Sequence, residues 1–258
     1  MIDRVRTIAF NTFREAVRDR VLYNLIVFAL IMVASALVFG QISFGIERLI
    51  MVNLGLTAIT TFGVVIAIFI GIGLVSKEID KKTLYTVLSR PVRRWEFIVG
   101  KFFGLSTTLL VNTFFMAVGF FAALLLLVRH FERADGWIVA ALWFIVLQFV
   151  IVTALALLFS SFSSPLLSAV FTLSLFVIGN FAQDLRSFGA GMTGATKWLA
   201  MGVAHIVPNF ASFNIAASVA HGEPLAHSLI LWNTAYAILY SAVAVAGAVI
   251  VFENRNLK

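Results

Sequence analysis

The sequence predicts an all-α polytopic membrane protein: six transmembrane helices, an amphipathic helix ahead of the first, and re-entrant or amphipathic helices between the fifth and sixth. Three observations carry this. Of 258 residues, 61% are apolar and only 12% charged, with a mean hydropathy of +1.02, more apolar surface than a water-soluble core could bury. The chain has 26 Phe and long runs without Asp, Glu, Lys or Arg. Those runs show no period-two alternation, which excludes barrel strands.

Within residues 1–20, Ile2, Val5, Ile8, Ala9, Phe13, Ala16 and Val17 recur at helical spacing, with Arg4, Arg14, Glu15 and Arg18 on the remainder. This predicts an interfacial helix. Apolar stretches at 21–39, 54–75, 98–128, 137–159, 165–182 and 225–252 are each near or above the ~20 residues needed to cross a bilayer. All belong to one transmembrane domain covering 1–258, with a loop at 76–97 and a longer connection at 183–224. Residues 160–164, closed by Pro165, make a tight hairpin, because proline suits the first turn of a helix. Residues 183–224 are too polar for a full span and too apolar for a free loop, with a break at Pro208.

Six crossings put both termini on one side. That side, with the 76–97 loop and Lys101, carries 14 of the 19 Lys and Arg, against 5 on the other. The positive-inside rule therefore places the termini and the loop on the cytoplasmic side of an inner membrane. The net charge of +7 is explained by orientation and lipid headgroups, so no nucleic-acid partner is expected. Without cysteine there is no disulfide framework, thiolate metal site or thiol nucleophile.

Residues 78–104 read EIDKKTLYTVLSRPVRRWEFIVGKFFG. A helix over about 77–88 fits, stopped at Ser89-Arg90-Pro91 because the residue before proline avoids the helical region. A second helix begins near Arg93 and runs into span 3. The combination Glu78-Ile79-Asp80, Lys82-Thr83, Leu88-Ser89-Arg90-Pro91-Val92, Trp95-Glu96-Phe97 and Gly100-Lys101 resembles the permease subunits of ABC-2-type (type V) ATP-binding cassette exporters. It is especially similar to the small six-span permeases of multicopper-enzyme maturation and efflux systems. Arg18-Asp19-Arg20, Glu47-Arg48, Pro208-Asn209-Phe210 and Phe213-Asn214 extend the likeness.

The resemblance implies a non-catalytic subunit that pairs with a second copy of itself or a related permease. ATP and Mg would be bound by a separate ATPase, and the segment 77–87 would dock there as a coupling helix. Lys77, Glu78, Ile79, Asp80, Lys82, Thr83 and Val87 are its expected contact residues. Where relatives often carry a small hydroxylated residue able to cap the next helix, this chain has Arg93, so the cap must come from another group. Spans 2 and 5 would line the route. Thr57, Thr60 and Thr61 with Ala67 and Gly71, and Ser168, Thr172 and Gly179 with Asn180, form small and polar stripes there. Tight helix packing accounts for such stripes equally well.

Other motifs give less. No GxxxxGK[ST] loop occurs. Asn112, Gln148, Asn180 and Asn233 suit hydrogen bonds between helices, Gly100 and Gly104 suit packing of span 3, and Lys101 can snorkel to the interface. His221, Glu223 and His227 could touch a metal, but Pro224 and Glu223 read as ordinary residues of a helix start, and no metal, cofactor or catalytic residue is assigned. Two other functions are compatible with this topology: an ion-gradient carrier or channel, and a mechanotransmitting subunit acting on an outer-face partner.

Overall fold

The computed structural model describes residues 2–19, 45–80, 93–128, 135–191 and 206–254, with scattered positions in 23–38 and at 194, 197, 198 and 202. The helices are α1 (Ile2–Val17), α2 (Glu47–Asp80), α3 (Arg94–Val128), α4 (Gly136–Ser160), α5 (Pro165–Asn180), α6 (Ala182–Gly191), α7 (Ala216–Ala220) and α8 (His227–Asn254), with a 3₁₀ turn at Phe210–Phe213. Among the described residues, four helices, α2, α3, α4 and α8, are long and apolar enough to cross a membrane. The pair α5 and α6, bent by 57°, makes five if it is one broken span. The first expected span, 21–39, lies largely outside the described residues.

The helices alternate in direction. Arg48, at the start of α2, binds Asp135 beside the start of α4 and the carbonyl of Ala220 at the end of α7. At the other end, Arg94 at the start of α3 donates to the carbonyls of Phe252 and Glu253, where α8 finishes. Pro165 opens α5 directly after the Ser161–Ser164 turn, and the Ser164 carbonyl accepts from Ser168 at 2.9 Å.

At the centre stands α4, apolar on every side and in contact with α2, α3, α5, α7 and α8. Lipid tails are as apolar as the core, so close packing rather than exclusion from water must hold such helices together. Gly63 of α2 supplies one such approach: the ring of buried Phe149 occupies the place a Cβ at Gly63 would take.

Several boundaries differ from the sequence reading. Helix α2 starts at Glu47, whose carboxylate accepts the Gly45 N–H at 3.0 Å, and it continues unbroken to Asp80. Its 34 residues, ~51 Å at 1.5 Å each, outrun a ~30 Å hydrocarbon core. Residues 77–80 are thus the last turn of the span 2 helix, since nothing between Gly73 and Asp80 breaks it. Helix α3 starts at Arg94, and its missing cap is found: the Glu96 carboxylate accepts the Arg93 N–H at 2.9 Å, half of a capping box. Pro224 lies outside α8, because Gly222 at φ 75° turns the chain out of α7 and residues 223–226 lead on to His227.

Helix α1 is more than an interfacial helix, because it packs along the first turns of α3. Gly100 and Gly104 make this approach: a Cβ on Gly100 would lie 2.7 Å from Ile8 Cβ, and one on Gly104 would lie 2.5 Å from the Ala9 carbonyl oxygen. The GxxxG pair therefore seats α1 on span 3. Lys101 consequently does not snorkel. It is 2% exposed, with Nζ 3.8 Å from Glu15 of α1 and 5.6 Å from the centre of the Phe97 ring.

Candidate functional site

Between α2, α4, α5 and the turn leading into α7 lies a cavity of about 220 Å³. From α2 come Leu56, Thr57, Thr60 and Thr61, from α4 Ala141, Ile145 and Gln148, and from α5 Phe176 and Asn180. Residues 213–216 complete it. One helical turn separates Thr57 from Thr60 and Thr61, which is why all three reach one wall. None of the lining side chains is ionisable.

The cavity joins the two stripes only in part. Thr57, Thr60, Thr61 and Asn180 meet there, whereas Ser168 and Thr172 do not. Those two are fully buried and donate to carbonyls one turn back, Ser168 to Ser164 just ahead of α5 at 2.9 Å and Thr172 to Ser168 at 2.7 Å. They pack α5 against its neighbours. Thr60 donates to Leu56 at 2.9 Å and Asn180 to Phe176 at 2.8 Å, so each keeps hydrogen-bonding capacity for the cavity.

The four amides expected to bond between helices divide. Asn233 reaches out of its helix, donating to the Ser212 carbonyl at 2.8 Å, while Asn180 bonds within its own. Asn112 Nδ2 is buried without a hydrogen-bond partner among the described residues. Gln148 is 3% exposed and opens onto the cavity. A lone amide in a 25-residue apolar helix was the available signal, since polar groups inside a membrane are functional by default. Asn214 was legible only as part of a motif.

The wall made by residues 206–220 is tied down from several directions. Tyr236 Oη accepts the Asn209 N–H at 3.0 Å, and Tyr240 Oη donates to the Ile206 carbonyl at 2.9 Å. Phe210 and Phe213 are buried, with ring centres 5.2 Å from Phe176 and 5.9 Å from Phe144. Gly179 admits this turn, since a Cβ there would strike the Pro208 carbonyl and the Phe210 ring. Beyond it, Arg48 clamps Asp135 and Ala220. The His227 ring lies tilted against Trp137 with centres 5.9 Å apart, and no group of three His, Asp or Glu able to hold a metal is found among the described residues.

Of the expected docking residues, Lys77, Glu78, Ile79 and Asp80 lie on the last turn of α2, with their side chains outside the described set. Lys82, Thr83 and Val87 lie outside the described residues altogether.

A bundle of long apolar helices with alternating directions, enclosing an uncharged polar cavity, defines a multi-pass membrane protein with a pocket between its spans. The family described as ABC-2 family transporter protein matches residues 6–257, and the chain belongs to it. It is accordingly a membrane permease subunit of an ATP-binding cassette transporter, which implies an ATP-binding cassette ATPase as partner. A search of curated proteins finds no match.

Proposed function

We propose that this permease exports a substrate across the cytoplasmic membrane of a bacterium or archaeon, using ATP hydrolysed, with Mg, by a separate ATPase. Two permease subunits, identical or related, assemble with two ATPases, and both termini of this chain are cytoplasmic. The observation that carries the reading is the cavity, which brings Thr57, Thr60 and Thr61 of span 2 together with Asn180 of span 5 in a chain whose family match spans residues 6–257.

The bundle end bearing Arg93 and Arg94 is also the end where the basic helix α1 packs, which supports a cytoplasmic position for it. Residues 77–80 carry α2 on past the membrane core as its last turn. A push on Glu78 and Asp80 would travel along one continuous helix to Thr61, Thr60 and Thr57 in the cavity wall. ATP binding would close the ATPases, move α2 against its surroundings and change the shape of the pathway.

The test is reconstitution of the chain with its ATPase in proteoliposomes. The reading predicts ATP-dependent movement of substrate away from the ATPase side. Transport by the chain alone along an ion gradient would replace it with a carrier, and ATPase coupling without flux would favour a mechanotransmitting role.

A further inference from the structure

We infer that the cavity binds an uncharged, hydroxyl- or amide-bearing group about the size of one six-membered ring. The inference rests on the transport reading and names the class of substrate group that reading leaves open.

The argument starts with Gln148. Its side chain is 3% exposed and lines the cavity. An amide facing the cavity offers two donors and an acceptor, so the site favours an occupant that supplies both kinds of partner. Around it, Thr57 and Thr61 present hydroxyls, Asn180 and Asn214 present amides, and Thr60 keeps acceptor capacity after donating to Leu56. Such groups donate and accept in nearly equal measure. Hydroxyls and amides match that pattern, whereas a carboxylate, phosphate or ammonium needs donors or acceptors alone.

Charge leads to the same class. An ion held between membrane helices needs a counter-charge, and the lining offers none. The nearby pair Arg48 and Asp135 satisfy each other with Nη2 2.6 Å from Oδ1, and neither lines the cavity. The volume agrees with a group of this size, and the cavity is open on one side. A cavity of roughly 150 Å³ accepts benzene. The 220 Å³ found here admits one ring carrying hydroxyls, with Phe176 and Phe213 as apolar wall.

The test uses the full-length chain in phosphatidylcholine nanodiscs and an alkyl glucoside carrying a photoactivatable diazirine beside the sugar, compared with the same probe bearing a 6-phosphate. Saturable labelling of α2 near Thr57 and Thr61 and of α4 near Gln148 is expected, about tenfold stronger for the neutral probe. Gln148→Leu should lower it about tenfold, Gln148→Asn less, and Thr172→Val not at all. If Gln148→Leu fails to fold, the pair Thr57→Val and Thr61→Val, on exposed positions, should give the same fall. Equal or stronger labelling by the phosphate probe, unchanged labelling of the variants, or no saturable labelling by the neutral probe would overturn the inference. ATPase co-assembly is measured on the same preparations. If it persists while labelling fails, only the substrate class falls, and if it is absent the transport reading falls as well.

Discussion

Arg48 and Asp135 lie 87 residues apart in sequence, yet Arg48 Nη2 is 2.6 Å and Nε 3.1 Å from the same Asp135 oxygen. A third bond from Arg48 to the Ala220 carbonyl at 3.0 Å ties the starts of α2 and α4 to the segment that closes the cavity. Asp135 is 6% exposed, so removing Arg48 takes its ion-pair partner from a buried carboxylate. Arg48→Ala is expected to cost on the order of 3 kcal/mol, and the pair Arg48→Met with Asp135→Leu distinctly less. Thermal unfolding of the single and paired variants checks this, and strictly additive losses would argue against the clamp.

The contact of α1 with α3 depends on the absence of two side chains. Gly104→Ala drives a methyl group against the Ala9 carbonyl, which is backbone and cannot swing aside, so a loss of about 1–3 kcal/mol is expected. Trypsin should then cut faster after exposed Arg14 and Arg18. Gly73→Ala, where a Cβ meets nothing within 4 Å, serves as control and should leave the cleavage rate unchanged.

At the crossing of α2 and α4, Gly63→Ala collides with the Phe149 ring. The expected loss is again about 1–3 kcal/mol, and Phe149→Leu should restore part of it by clearing the space. Unfolding midpoints of the two single variants and the double variant measure the coupling. A double variant no better than the sum of its parts would rule out this contact as the cause.

The two stripes should separate in transport assays. Substitution of Thr57 and Thr61 by Val is expected to change substrate flux, since both side chains line the cavity. Ser168→Ala and Thr172→Val should leave flux within about twofold of the parent, because those hydroxyls are spent on their own helix. Equal effects from both pairs would return the stripes to a common role.

What could be read in the sequence was set by local chemistry. The apolar runs, Pro165 at the start of α5, and the threonines of α2 are all features of adjacent residues, and hydropathy or helical spacing reveals them. Pairings between distant segments were not legible. Nothing near Arg48 points to Asp135, and nothing near Gly63 points to Phe149. Lys101 departs from expectation for a related reason: a lysine at a span end snorkels by default, and only the docking of α1 through Gly100 and Gly104 buries it beside Glu15. Ser168 and Thr172 share their spacing with cavity residues, and only the rotation of α5 turns them inward.

The central claim is that the 77–87 segment links an ATPase to the membrane helices, and co-purification tests it most directly. The tagged full-length chain, isolated from its own cells, should carry an ATP-binding cassette ATPase in near-stoichiometric amount. With Glu78→Ala and Asp80→Ala together, recovered ATPase should fall about tenfold while the helical content of the chain is unchanged. Undiminished ATPase recovery and transport in that variant would contradict the account.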